Sequence, residues 1–128
     1  MKTMNLKLFL LYVLAGMATL CTACAPMTYT DYAKKQAVLE QNYTVAKSLS
    51  GLYGDYGQTY LAVLQVRYER DKTALQYDKQ KALEEWQQRS AELADKIATE
   101  EDRGMRLALT KELQSVQREI QLFQAHDK

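Results

Sequence analysis

Cys21 and Cys24 stand in a Cys-x-x-Cys spacing, and the chain holds no other cysteine. That spacing can serve a dithiol redox pair or half of a metal site. Here it follows an apolar run rather than a strand, and no second ligand pair exists in the sequence. The single histidine, His126, lies near the C-terminal end, where it cannot anchor a Ser-His-Asp or Cys-His arrangement. Glu84-Glu85 and Glu100-Glu101 are adjacent pairs, and adjacent residues diverge on a helix. Gly51, Gly54 and Gly57 lack the preceding strand and the Lys-Ser/Thr of a phosphate loop. The expectation is a protein that is not an enzyme, with no catalytic residues, no metal and no cofactor.

The cysteines have a different setting. Met1 to Lys7 is a short basic start, Leu8 to Leu20 is apolar, and Cys21-Thr22-Ala23-Cys24 supplies small residues. This is the three-part layout of a secretory signal peptide, and the apolar run falls short of the ~20 residues that a membrane span needs. Leu20-Cys21-Thr22-Ala23-Cys24 resembles the lipobox of bacterial lipoproteins, with Cys21 where that class usually carries Leu. The resemblance implies cleavage before Cys24, a diacylglycerol on its thiol and a further acyl chain such as palmitate on the new N-terminus. Ala25, where the class's inner-membrane retention signal is Asp, implies an outer-membrane anchor facing the periplasm. Two or more acyl chains hold a protein stably at about 0.8 kcal/mol per buried CH₂. The alternatives are an uncleaved signal anchor ending near Cys24 and plain secretion without lipid.

Charge narrows the partners. The chain has 17 Lys+Arg against 16 Asp+Glu; without Lys2 and Lys7 the balance is 15 against 16, or −1. Interspersed signs and near neutrality argue against nucleic-acid binding, which needs clustered cations. Of nine tyrosines, eight lie between Tyr29 and Tyr77, and Tyr53, Tyr56 and Tyr60 gather on a glycine-rich stretch. Tyrosine suits contact surfaces because its ring is large and its hydroxyl is easily satisfied. Tyr53, Tyr56 and Tyr60 are therefore candidates for a partner-binding tip. The competing reading wedges these rings between helices. Asp102-Arg103-Gly104 marks a second, weaker candidate tip.

The elements that would position these residues are helical. One proline, five glycines and an apolar share of 47% disfavour both an all-β domain and a disordered chain. The layout reads as a signal peptide over 1–23, a lipidated cysteine and short tether over 24–30, and a helical periplasmic domain over 31–128. A first helix is expected over 31–50, N-capped by Thr30 or Asp31. Three glycines at spacing three favour a turn at 51–57 over a continuous helix with a glycine face. A long helix over 58–99 would extend about 63 Å.

Its last part carries Leu83, Trp86, Ser90, Leu93 and Ile97 in a 3-4-3-4 rhythm, and Leu109, Leu113, Val116, Ile120 and Phe123 repeat a heptad-like stripe. On one continuous helix the two stripes would point about 120° apart. A turn near Asp102, with Gly104 as a left-handed helix stop, lets a third helix over 105–125 fold back. The stripes then pair Leu83 with Phe123, Trp86 with Ile120, Ser90 with Val116, Leu93 with Leu113 and Ile97 with Leu109. By the same logic Leu49 faces Leu61 and Ala46 faces Leu64, and the polar stretch 69–81 lies where the two coverings end. The fold class is all-α: elongated antiparallel hairpins or a three-helix bundle around one long, coiled-coil-like central helix.

The functional expectation is a membrane-anchored envelope lipoprotein that binds an unidentified periplasmic protein or serves an envelope assembly, such as a secretion or conjugation system that excludes mobile elements. The alternative is a homo-oligomeric coiled-coil spacer or a phage spanin-like lysis protein. Replacing Cys24 with Ala is expected to abolish metabolic labelling by radioactive palmitate and leave the precursor uncut. Labelling that survives in the variant would move the lipid elsewhere.

Overall fold

The computed structural model describes residues 25–126; the leader, and with it the lipidation expected at Cys24, lies outside the described residues. The described chain is all-α. Helix α1 spans Tyr29–Ser50, a 3₁₀ segment spans Gly51–Tyr56, α2 spans Gly57–Thr99 and α3 spans Arg103–Ala125. No helix among the described residues is long and apolar enough to cross a membrane.

Each boundary has a local cause. Helix α1 starts two residues earlier than expected because Thr28, in an extended conformation, is the cap: its hydroxyl accepts the Asp31 N–H at 3.2 Å. Asp31 lies instead in the first turn, where its charge complements the helix dipole. The expected turn at 51–57 is present, and two of its glycines are needed there. Gly54 has φ 58°, the left-handed region that side chains disfavour. Gly57 is buried, and a Cβ on it would strike the Ser50 carbonyl oxygen.

The second reversal is built differently from the expectation. Gly104 is not a left-handed stop: it sits inside the first turn of α3, and Gly54 is the only described residue with positive φ. Helix α2 ends because Glu100 turns extended, at φ −78° and ψ 124°. Asp102 then caps α3 by accepting the Gly104 N–H at 3.0 Å. Arg106 closes the loop by donating from Nη2 to the Glu100 carbonyl oxygen at 2.6 Å. A strong aspartate cap supplies what a glycine stop would have supplied.

Both reversals are antiparallel. Tyr43 stacks on Tyr68 at 4.3 Å, and Ala46 and Leu64 line one cavity between α1 and α2. Leu49, expected opposite Leu61, remains 46% exposed; Ser50 is buried at that level, its hydroxyl donating to the Lys47 carbonyl oxygen. Across the second reversal, all ten expected seam residues are buried or half-buried. Trp86, Leu93, Val116 and Phe123 join Tyr32 and Ala82 in one core, with Leu83, Leu109, Leu113 and Ile120 packed against it.

Helices α1 and α3 lie end to end on the same side of α2. The C-terminal turn of α3 meets the start of α1: the Tyr29 ring meets Phe123 edge-on at 5.5 Å, and the Tyr29 N–H donates to Glu119 Oε2 at 3.1 Å. The inner face of the polar stretch 69–81 is consequently covered by α1, with Leu39 and Leu75 lining a common cavity, and the coverings meet farther along, near Ala82.

Leu93 is 4% exposed, so a carboxylate there would be buried without a partner. Leu93→Asp is expected to lower the unfolding free energy by about 3–5 kcal/mol. The exposed control Glu101→Gln is expected to change it by less than about 0.5 kcal/mol. Urea titration followed by circular dichroism reads both.

Candidate functional site

Seven of the eight described tyrosines divide into two groups, with Tyr77 exposed apart from both. Tyr29 and Tyr32 belong to the junction of α1 and α3, where both rings lie against Phe123. Tyr43 and Tyr68 wedge between α1 and α2. These four follow the interhelical reading of the sequence. Tyr53, Tyr56 and Tyr60 instead gather at the first reversal: Tyr53 leans on Tyr60 at 5.2 Å, Tyr56 projects with 81% exposure, and Leu52 beside them is 80% exposed.

The tip forms because the glycine turn is too tight to bury large side chains within itself. Between Lys47 and Arg67 the only charged residue is Asp55. The first reversal is thus an exposed apolar and phenolic surface with a single carboxylate and no cation. A surface patch of this kind is the usual mark of an interaction site. The second reversal, at Asp102 and Arg103, is charged and closed on itself by Arg106.

Residues 25–28, read from sequence as a short tether, lie against the body. Trp86 donates from Nε1 to the Met27 carbonyl oxygen at 3.0 Å. Ala25, Pro26 and Met27 border a cleft of about 580 Å³ that also touches Leu93, Leu109 and Glu112. Arg89 spans the cleft to Glu112 at 3.0 Å and lies over the Trp86 ring at 6.0 Å. Trp86, expected in the core, thus also holds the chain leading into α1. At 1.5 Å per residue, Gly57 and the tyrosine tip lie about 44 Å along α2 from Trp86.

The remaining chemical candidates stay apart. Glu84 and Glu85 are exposed, and among the described residues no cluster of three or more His, Cys, Asp and Glu side chains could hold a metal ion. His126 stacks on Tyr29 at 4.6 Å, and its Nδ1 donates to the Leu122 carbonyl oxygen at 2.9 Å in the tautomer that carries a proton there. Sequence reasoning gave His126 only a fraying end. It also missed Met27, Tyr29, Tyr32 and Glu119, whose contacts join segments up to 90 residues apart.

The ionisation of Tyr68 is displaced. Tyr68 donates its hydroxyl proton to Glu40, and this hydrogen bond above all pushes the phenol up to about 12, aided by burial and by the negative charges of Glu40 and Glu69. An unfolded tyrosine ionises near ~10. The folded form therefore holds its proton more tightly, and the resulting stability is complete below about pH 10 and is lost as pH rises toward 12. Glu40→Gln is expected to return Tyr68 toward the ordinary value and flatten that alkaline loss. Phenolate absorbance and alkaline melting curves measure the two effects. Set against known families, curated proteins and solved structures, the chain matches none of them.

Proposed function

We propose that this protein is a lipid-anchored component of the bacterial envelope that works by binding another protein through its tyrosine tip, without catalysis. The observation that carries this reading is the separation of two unlike ends. The lipobox-like Cys24 lies only three residues before Met27, which Trp86 holds against the body. The cation-free tip bearing Tyr53, Tyr56 and Tyr60 lies about 44 Å farther along α2.

Covalent geometry makes the separation useful. Three residues of extended chain span at most about 11 Å, so acyl chains on Cys24 would fix the body close to Trp86. Helix α2, braced by α1 over its first half, is then a stiff arm that presents the tip at a set distance from the lipid. The tip's chemistry suits a protein face: tyrosine and leucine supply apolar area, and the phenol hydroxyls satisfy polar groups across an interface. With Asp55 as its only charge, the tip lacks the cations that attract nucleic acid or anionic lipid. The lipoprotein resemblance, with Ala25 where that class's inner-membrane retention signal is Asp, supports an outer-membrane anchor with the body in the periplasm. An accessory role in an envelope assembly, of the secretion or conjugation type, follows from an anchored arm with a contact surface.

The test is a photo-crosslinking amino acid at Tyr56 in cells, with the same residue at Asp102 as control. The expected result is one discrete heterologous adduct from position 56, absent from position 102 and lost when Tyr53 and Tyr60 are changed to Ser. Equal adducts from both positions, or none from position 56, would overturn the reading.

A further inference from the structure

Helix α2 carries a second stripe that no other described residue covers. Its inner face holds Leu64, Tyr68, Leu75 and Ala82, all half-buried or buried against α1 and the core. On the opposite face stand Val63, Val66, Arg70, Thr73 and Tyr77, again in a 3-4-3-4 rhythm. At 100° per residue this stripe lies about 155° from the inner one. Val66 is 71% exposed and Tyr77 is 69% exposed. A heptad-spaced stripe of this kind is the pattern by which one helix recognises another.

The shape and charge of the stripe indicate which helix. Short side chains at Thr73 and Ala74 leave a shallow depression of about 620 Å³, with Arg70 and Tyr77 at its two ends and Glu69 and Asp78 on its rim. The depression is thus bordered by two carboxylates. Arg70, whose side chain is 74% exposed and 3.5 Å from Asp71, is the cation of matching reach on the same stripe. In an antiparallel pairing of two such helices, residue 70 of each falls opposite residue 73 of the other, and residue 66 opposite residue 77. Each Arg70 then drops into the other chain's depression between Glu69 and Asp78, and each Val66 meets a Tyr77. A parallel, in-register pairing would set the two Arg70 cations directly opposite one another, whereas this register offsets them by three residues, about 4.5 Å along the helix, and turns each toward the other chain's Glu69 and Asp78.

We infer that the outer face of α2 is a dimer interface, occupied by the same face of a second copy of this chain in antiparallel register. The two-fold axis passes between residues 70 and 73, so every complementary contact is made twice. Helices α1 and α3 lie on the far side of each α2 and do not obstruct the approach. The pair carries one tyrosine tip at each end of the shared stretch. In this register residue 57 of each chain falls opposite residue 86 of the other, so each tip lies beside the other copy's Trp86 end, and the stand-off of tip from lipid belongs to the monomer.

Sedimentation equilibrium of the full chain, in density-matched detergent, tests it. The expected result is a reversible monomer–dimer equilibrium. Arg70→Glu is expected to raise the dissociation constant at least tenfold, because its carboxylate would face Glu69 and Asp78. Combining it with Glu69→Arg and Asp78→Arg reverses all the charges and is expected to restore the dimer. These residues are exposed, so helicity by circular dichroism is expected to be unchanged in both variants. A chain that stays monomeric at all concentrations, a dimer indifferent to Arg70→Glu, or a triple variant that fails to re-associate with native helicity would each overturn the inference.

Discussion

The apolar stripe along the inner face of α2 must be covered over about 65 Å, and among the described residues no other helix is long enough to do it alone. The 22 residues of α1 and the 23 of α3 together match the 43 of α2. Two reversals of direction bring them to the same side, so their ends must meet. The cost of covering one helix with two is a junction at which a helix start and a helix end are buried together. Phe123, the most deeply buried side chain, closes that junction between Tyr29 and Tyr32. Glu119 satisfies the Tyr29 N–H there, and Thr28 takes the Asp31 N–H, so two of the exposed donors at the helix start have partners.

The junction also explains why the two halves of the molecule differ so much. Near it, large aromatic rings and the seam residues of α3 give a continuous core. Away from it, α1 and α2 are held by smaller contacts: the stacked pair Tyr43 and Tyr68, the Tyr68–Glu40 hydrogen bond, and aliphatic residues such as Leu39, Ala46, Leu64 and Leu75. The first reversal therefore tightens through glycine rather than through packing, which leaves its tyrosines outside. Among the described residues, the unburied apolar surface is concentrated in the first hairpin, from Val38 to Tyr77, with only Met105 and Leu107 exposed among the large apolar residues of the second. Surface chemistry and stability are thus divided between the two ends of one arm.

The seams were legible because they repeat over short distances. A 3-4-3-4 spacing places side chains on one helix face whatever surrounds it, and the phase break between Ile97 and Leu109 demands a reversal. The glycine turn was legible for a similar reason, since Gly54 and Gly57 answer local steric demands. Gly104 misled because glycine is compatible with a helix stop without requiring one, and Asp102 two residues earlier is a cap that starts the next helix. The tyrosines could not be divided from sequence. Tyr43 and Tyr56 differ in whether another helix passes beside them, and that depends on residues far along the chain.

By itself, the sequence determined the helical class, the places where the chain reverses, the inner stripes and a cation-free, tyrosine-bearing stretch between Lys47 and Arg67. These depend on steric and electrostatic rules that act over three or four residues. Only the tertiary structure decided that Met27 docks on Trp86, that Tyr29 and Tyr32 close on Phe123, and that the outer stripe of α2 stays open. Burial is a property of matched lengths and directions among whole helices. Two stripes of equal periodicity on one helix look alike in sequence until the fold covers one of them.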